Sequence, residues 1–111
     1  MSWEKALDYC KSNGFGLLRI ESKNDQKETE RELQRQKIVG PVWIGLRQSR
    51  VFGFWIWVNG LQVGPWTNWK GGHQPQHQMS QYCGAMKKVN RTFKWFDKDC
   101  RSKFRVLCEG K

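Results

Sequence analysis

Acidic side chains are scarce here: 10 Asp and Glu stand against 20 Lys and Arg among 111 residues, a formal net charge of +10. That balance favours anionic partners such as sulfated glycans, acidic proteins, anionic lipid or nucleic acid. Solubility alone accounts for it as well. Long apolar runs are missing too, and none approaches the roughly 18 residues of a membrane span. Near the start, Ser2, Glu4, Lys5 and Asp8 interrupt any apolar stretch, so no signal peptide stands there. The chain therefore reads as a piece of a longer secreted or membrane-anchored protein, with Met1 as an added start residue. A G-x-S-x-G elbow, a phosphate-cradling glycine loop and a His paired with a Ser or Cys nucleophile are all absent, which leaves no case for an enzyme. Internal repeats, linkers and low-complexity tracts are lacking, which makes residues 1–111 one expected domain.

None of the four cysteines forms a C-x-x-C pair, so zinc-ribbon and thioredoxin chemistry have no support. Two bridges in so short a chain point to an oxidising compartment. Three pairings are open. The nested one, Cys10 with Cys108 and Cys83 with Cys100, is preferred because it ties the chain ends and separately closes a loop.

Ser2 can cap a helix whose apolar residues Trp3, Ala6, Leu7 and Cys10 share one face, with Gly14 as the stop. Leu17, Leu18 and Ile20 form a short buried crossing. Ser22 and Asp25 read as the start of a second helix running to about Arg35. Its only large apolar residue is Leu33, so it is expected to lie lightly on the core with a solvated outer face. Gly40-Pro41 breaks the chain, and the residues beyond it read as strands and loops. Val42–Leu46 is a central strand. Residues 52–58 form a strand that is apolar on both faces, and Asn59-Gly60 is a turn. Tyr82–Met86 and Phe93–Phe96 read as a hairpin across Val89-Asn90-Arg91-Thr92, and Phe104–Cys108 as a closing strand. Two helices and then an antiparallel sheet make an α+β domain. Between residues 66 and 100 lies a Trp-anchored entry, a polar loop around Pro75 and an apolar return bounded by Cys83 and Cys100. The loop over 70–81 has too little apolar surface to fold alone, so it must be held by the strands and cysteine bridges around it, and the stretch as a whole is where a ligand is expected.

The pieces S-W-E-K-A-L-D-Y-C, L-L-R-I-E-S, W-I-G-L, W-I-W-V-N-G, W-T-N-W, K-W-F-D-K-D-C and V-L-C-E resemble, in family order, the C-type lectin-like domain family. The resemblance covers nearly the whole chain. It implies a double-loop fold of two helices, two small sheets, two disulfides and a long loop region at about residues 59–82 that carries ligands, with Trp95 packed beneath it. It also implies the nested cysteine pairing. The family's opening strand is missing, through omission from this piece or natural shortening.

In relatives that bind sugar through calcium, the resemblance implies an E-P-N or Q-P-D tripeptide, a Glu before the third cysteine and a W-N-D triplet. Here the matching residues are Gln74-Pro75-Gln76, Gln81 and Trp95-Phe96-Asp97. Calcium takes 6–8 oxygens, several of them carboxylate. One carboxylate and three amides compensate it poorly, so no metal and no cofactor is expected, weak calcium binding being the remaining allowance. Pro75 is expected to be cis, as the resemblance suggests. Gln74, Gln76, Gln81 and Asp97 are then direct polar contacts for a ligand.

His73 and His77 have no evident co-ligands and read as solvent-facing. Lys87, Lys88, Arg91, Lys94 and Lys98 are candidate partners for sulfate, sialate or an acidic protein, or else a solvated edge that discourages strand pairing. Asn90-Arg91-Thr92 is an N-glycosylation sequon. Trp55, Trp57, Trp66 and Trp69 read as core or loop anchors rather than sugar-stacking platforms. The expected function is non-catalytic, extracellular recognition of a glycan, sulfated or acidic among the options, or of a protein, without calcium. Calcium-dependent sugar binding by a degenerate site is the alternative. Nothing beyond charge suggests nucleic acid, and no specific nucleic-acid partner is expected.

Overall fold

The computed structural model describes residues 1–49, 54–75 and 82–109. Helix α1 spans Trp3–Ser12, and the Ser2 side chain accepts from the Lys5 amide as its cap. The chain turns out of this helix through Gly14 at φ +79, a conformation glycine adopts without a Cβ penalty. Helix α2 spans Lys23–Arg35 and is capped by Ser22, which accepts from the Asp25 amide. The chain then forms five strands: β1 (Val42–Gln48), β2 (Trp55–Trp57), β3 (Tyr82–Val89), β4 (Thr92–Asp99) and β5 (Arg105–Val106).

The strands form one sheet in the order β2-β1-β3-β4, with β5 also on β1. The two small sheets implied by the resemblance are thus joined, because β1 bonds to β2, β3 and β5. The closing strand is shorter than expected and lies parallel to β1. Of the expected strand over 52–58, Trp55–Trp57 is strand, and Phe52 and Gly53 lie outside the described residues. At its end Gly60 takes φ +88 and the Leu61 amide bonds to Asn59 Oδ1, the expected Asn-Gly turn.

Alternation along the strands puts a core on each face of the sheet. On one face Trp43, Cys83 and Ala85 pack with Trp3, Ala6 and Cys10 of α1. On the other, Val42, Ile44, Leu46, Met86 and Trp95 pack with Leu33 of α2 and with Trp55, Trp57 and Trp69. Gly45 and Gly84 let these layers close up. A Cβ on Gly45 would lie 2.8 Å from the Leu18 carbonyl oxygen, and one on Gly84 2.6 Å from Leu46 Cβ.

The preferred cysteine pairing is the one formed, Cys10–Cys108 and Cys83–Cys100. The first joins α1 to the end of the chain, where Met1 and Phe104 exchange two main-chain hydrogen bonds. Helix α2 is held more firmly than its single large apolar residue suggested. Gln26 and Thr29 are also buried, and the Gln26 side chain bonds to Trp95 of β4.

Candidate functional site

The long loop is anchored from below by indoles. Trp95 of β4 is fully buried, and Trp57, Trp66 and Trp69 each meet it edge-on at 5.6–5.7 Å between ring centroids. Trp55 meets Trp69 at 4.9 Å and donates its Nε1–H to the Pro75 carbonyl at 2.8 Å. Edge-to-face contact suits the quadrupoles of these rings, and each indole N–H seeks an acceptor when buried. Trp55, Trp57 and Trp69 are buried, so they are anchors, as expected. Trp66 remains half-exposed.

Asn68, in the W-T-N-W stretch, ties the loop to the free edge of β4. Its carbonyl accepts from the Trp95 amide at 3.0 Å, its Nδ2 donates to the Phe93 carbonyl at 2.7 Å, and its Oδ1 accepts from Lys94 Nζ at 3.2 Å. Beneath, Gln26 of α2 accepts from Trp95 Nε1 at 3.0 Å. Its amide nitrogen faces Glu30 Oε2 at 2.9 Å, the Met86 sulfur at 3.2 Å and the Phe93 carbonyl at 3.4 Å. Neither Asn68 nor Gln26 stood out in the sequence. The position of Asn68 between two Trp residues was the available sign; Gln26 had none, since an amide in a charged helix reads as solvated.

Of the expected polar contacts, Asp97 is half-buried on β4 opposite Gly84, on the same face as Trp95 and the loop anchors. Gln74 is half-buried beside Pro75. Gln76 and Gln81 lie outside the described residues, as does His77, while His73 is exposed. The cis bond that the described residues carry is Gly64–Pro65, upstream of the Pro75 position expected from the resemblance. Among the described residues, no three His, Cys, Asp or Glu side chains gather in a way that could hold a metal ion.

The five basic candidates do not form one patch. Strand alternation divides them: Lys87 and Lys94 are directly opposite each other, and Lys98 is opposite Cys83, on the face that carries Phe96. Lys88 is opposite Phe93 on the other face, its Nζ 5.8 Å from that ring centroid. Arg91 occupies the turn, next to Asn90, which is exposed at φ +58. Phe96, in the place of the triplet's oxygen donor, has Lys87 Nζ at 5.5 Å and Lys98 Nζ at 5.6 Å from its ring centroid.

The carboxylates are segregated as well. Glu21, Asp25, Glu28, Glu32 and Glu109 line a cleft of about 760 Å³ along α2, with Arg19 bound in two-pronged fashion to Glu109. On the hairpin, Asp99 is engaged by Arg101, whose guanidinium holds its carboxyl down at about 2. Half of the ten acidic residues therefore lie along the cleft, and the positive excess falls on the rest of the surface.

Residues 1–110 match the family model described as "Lectin C-type domain". The C-type lectin lectoxin-Phi1 of Philodryas olfersii is 31% identical over 111 residues, covering 97% of this chain and 70% of that protein. Among solved structures, the mouse scavenger receptor C-type lectin carbohydrate-recognition domain superposes with a TM-score of 0.77 at 27% identity, over 96% of this chain and 78% of that one. A calcium-independent type II antifreeze protein superposes with a TM-score of 0.75 at 28% identity, over 97% and 77%. With the two helices, the sheet, the two disulfides and the Trp-anchored loop in place, the chain belongs to the C-type lectin domain family.

Proposed function

We propose that the protein is a non-catalytic, extracellular recognition module that binds a glycan or protein ligand through residues 59–82 and the adjoining end of β4, without calcium. The observation that carries this reading is Phe96. It takes the place of an oxygen donor and draws two ammonium groups to its ring. Calcium affinity falls as oxygen donors and carboxylates are removed, and an apolar ring supplies neither. Asp97 supplies one charge, and Gln74, Gln76 and Gln81 supply neutral amides, so the donor set does not fit the ion. The amides and the carboxylate then serve as direct hydrogen-bonding groups for ligand hydroxyls or amides. Lys87, Lys88, Arg91, Lys94 and Lys98 favour anionic ligands.

The likeness to a carbohydrate-recognition domain and to a calcium-independent member of the fold supports both halves of this reading. Two disulfides support an oxidising, extracellular setting. No helix among the described residues is long and apolar enough to cross a membrane. A glycan panel probed in calcium and again in excess chelator tests the proposal. Retention unaltered by chelator, and lost in Gln74→Ala with Asp97→Asn, is the expected result. Binding that disappears with chelator would overturn it in favour of a degenerate calcium site.

A further inference from the structure

Phe96 is half-buried yet belongs to neither core, because on this sheet face the α1 layer buries Trp43 of β1 and Cys83 and Ala85 of β3, whereas Lys94, Phe96 and Lys98 of β4 stay half-exposed and Lys87 exposed. At its ring the hairpin sets Lys87 and Lys98, with Lys94 next along the same strand face. Like charges directly opposite each other, as Lys87 and Lys94 are, disfavour a strand pair. The ring offsets part of that cost by drawing two of the ammoniums to its π system, but it cannot neutralise them. Among the described residues neither Lys87 nor Lys98 forms an ion pair, and the Lys94 ammonium meets only the neutral Asn68 amide oxygen. The hairpin's carboxylates, Asp97 and Asp99, project from the opposite face.

We infer that this face, apart from the long-loop site, is a binding site for a sulfated glycan. Lys94, Phe96 and Lys98 succeed one another along one strand face at intervals of roughly 6–7 Å. A shallow row of cations about an apolar ring is complementary to a linear polyanion that carries charge on successive sugars. Sulfate keeps its full charge at any physiological pH. The inference narrows the anionic part of the proposed function, and it stands even if the long loop takes a different ligand.

Calorimetry with a heparin-derived oligosaccharide and its fully desulfated, N-acetylated counterpart tests it at physiological salt. The expected result is saturable binding of the sulfated form alone. Lys87→Gln with Lys98→Gln should weaken it by about tenfold or more, as charge-assisted contacts are lost. Lys23→Gln with Lys27→Gln on α2 removes the same charge and should change it by less than about twofold, since exposed distant charges are screened. Phe96→Leu leaves the net charge alone and should weaken binding by about threefold through release of the lysines. Equal losses in the two double variants would reduce the effect to bulk charge and overturn the site. So would absence of binding, or tighter binding of a poly-glutamate peptide, which would make an acidic protein the partner. Gln74→Ala with Asp97→Asn, which tests the long loop, should leave the sulfated ligand's affinity unaltered.

Discussion

Replacing Gln26 with Leu should destabilise the protein chiefly through Trp95. The Gln26 side chain is 4% exposed and Trp95 is fully buried, so water cannot replace the 3.0 Å bond from Trp95 Nε1. Leu approximates the volume of Gln, which keeps the cavity term small. The Phe93 carbonyl stays satisfied by Asn68 at 2.7 Å, so the group left orphaned is the indole N–H. An unsatisfied buried donor costs about 1–3 kcal/mol. A loss of about 2 kcal/mol, in a domain of this size, lowers Tm by roughly 10 °C. Thermal and chemical unfolding of Gln26→Leu, Trp95→Phe and the double variant would isolate the bond. Once Phe removes the donor, Leu at position 26 should cost less by about 1–2 kcal/mol, the coupling expected of residues in contact. A coupling below about 0.5 kcal/mol would refute the view that this bond fastens α2 to the strand beneath the loop.

Gly84→Ala drives a Cβ to within 2.6 Å of Leu46 Cβ and should cost about 1–3 kcal/mol. Gly16→Ala, with nothing within 4 Å, should stay within about 0.5 kcal/mol of wild type, and denaturant unfolding compares the two. Removing Cys10–Cys108, whose partners are 98 residues apart, should cost about 4–5 kcal/mol in the chain-entropy model. Removing Cys83–Cys100, 17 apart, should cost about 3 kcal/mol, so a reversed order of melting temperatures would count against that account. Asp99, held at about 2 by its bonds to Arg101, has a folded pKa below the unfolded value of about 3.9. Its contribution to stability is present above the unfolded value and is lost as pH falls towards about 2. Carboxyl NMR titration of Arg101→Ala should raise the midpoint towards the unfolded value without reaching it, since the residue 101 amide still donates to Asp99 Oδ1, and an unmoved midpoint would show that the guanidinium is not the main cause.

Local chemistry was legible in the chain. The Ser2 and Ser22 caps, the apolar face of α1, the Asn59-Gly60 turn and the β3–β4 hairpin each depend on residues a few positions apart, and spacing alone exposes them. The motif order was enough to identify the family and, with it, the cysteine pairs. The departures from a calcium-binding pattern at Gln74-Pro75-Gln76 and Trp95-Phe96-Asp97 could be read from residue type, because charge on a ligand is a property of the side chain itself.

Features that depend on contact across the fold could not be read that way. Gln26 looked solvated until its helix was seen against Trp95, 69 residues away. Lys88 and Lys98 were alike in sequence and differ only because register sends one to each face of the sheet. Phe96 read as the loss of a metal ligand, and only the strand pairing revealed it as the ring around which Lys87 and Lys98 gather. A sequence states which charges a chain carries, and tertiary packing decides which of them share a surface, because that depends on register and on what each layer leaves uncovered.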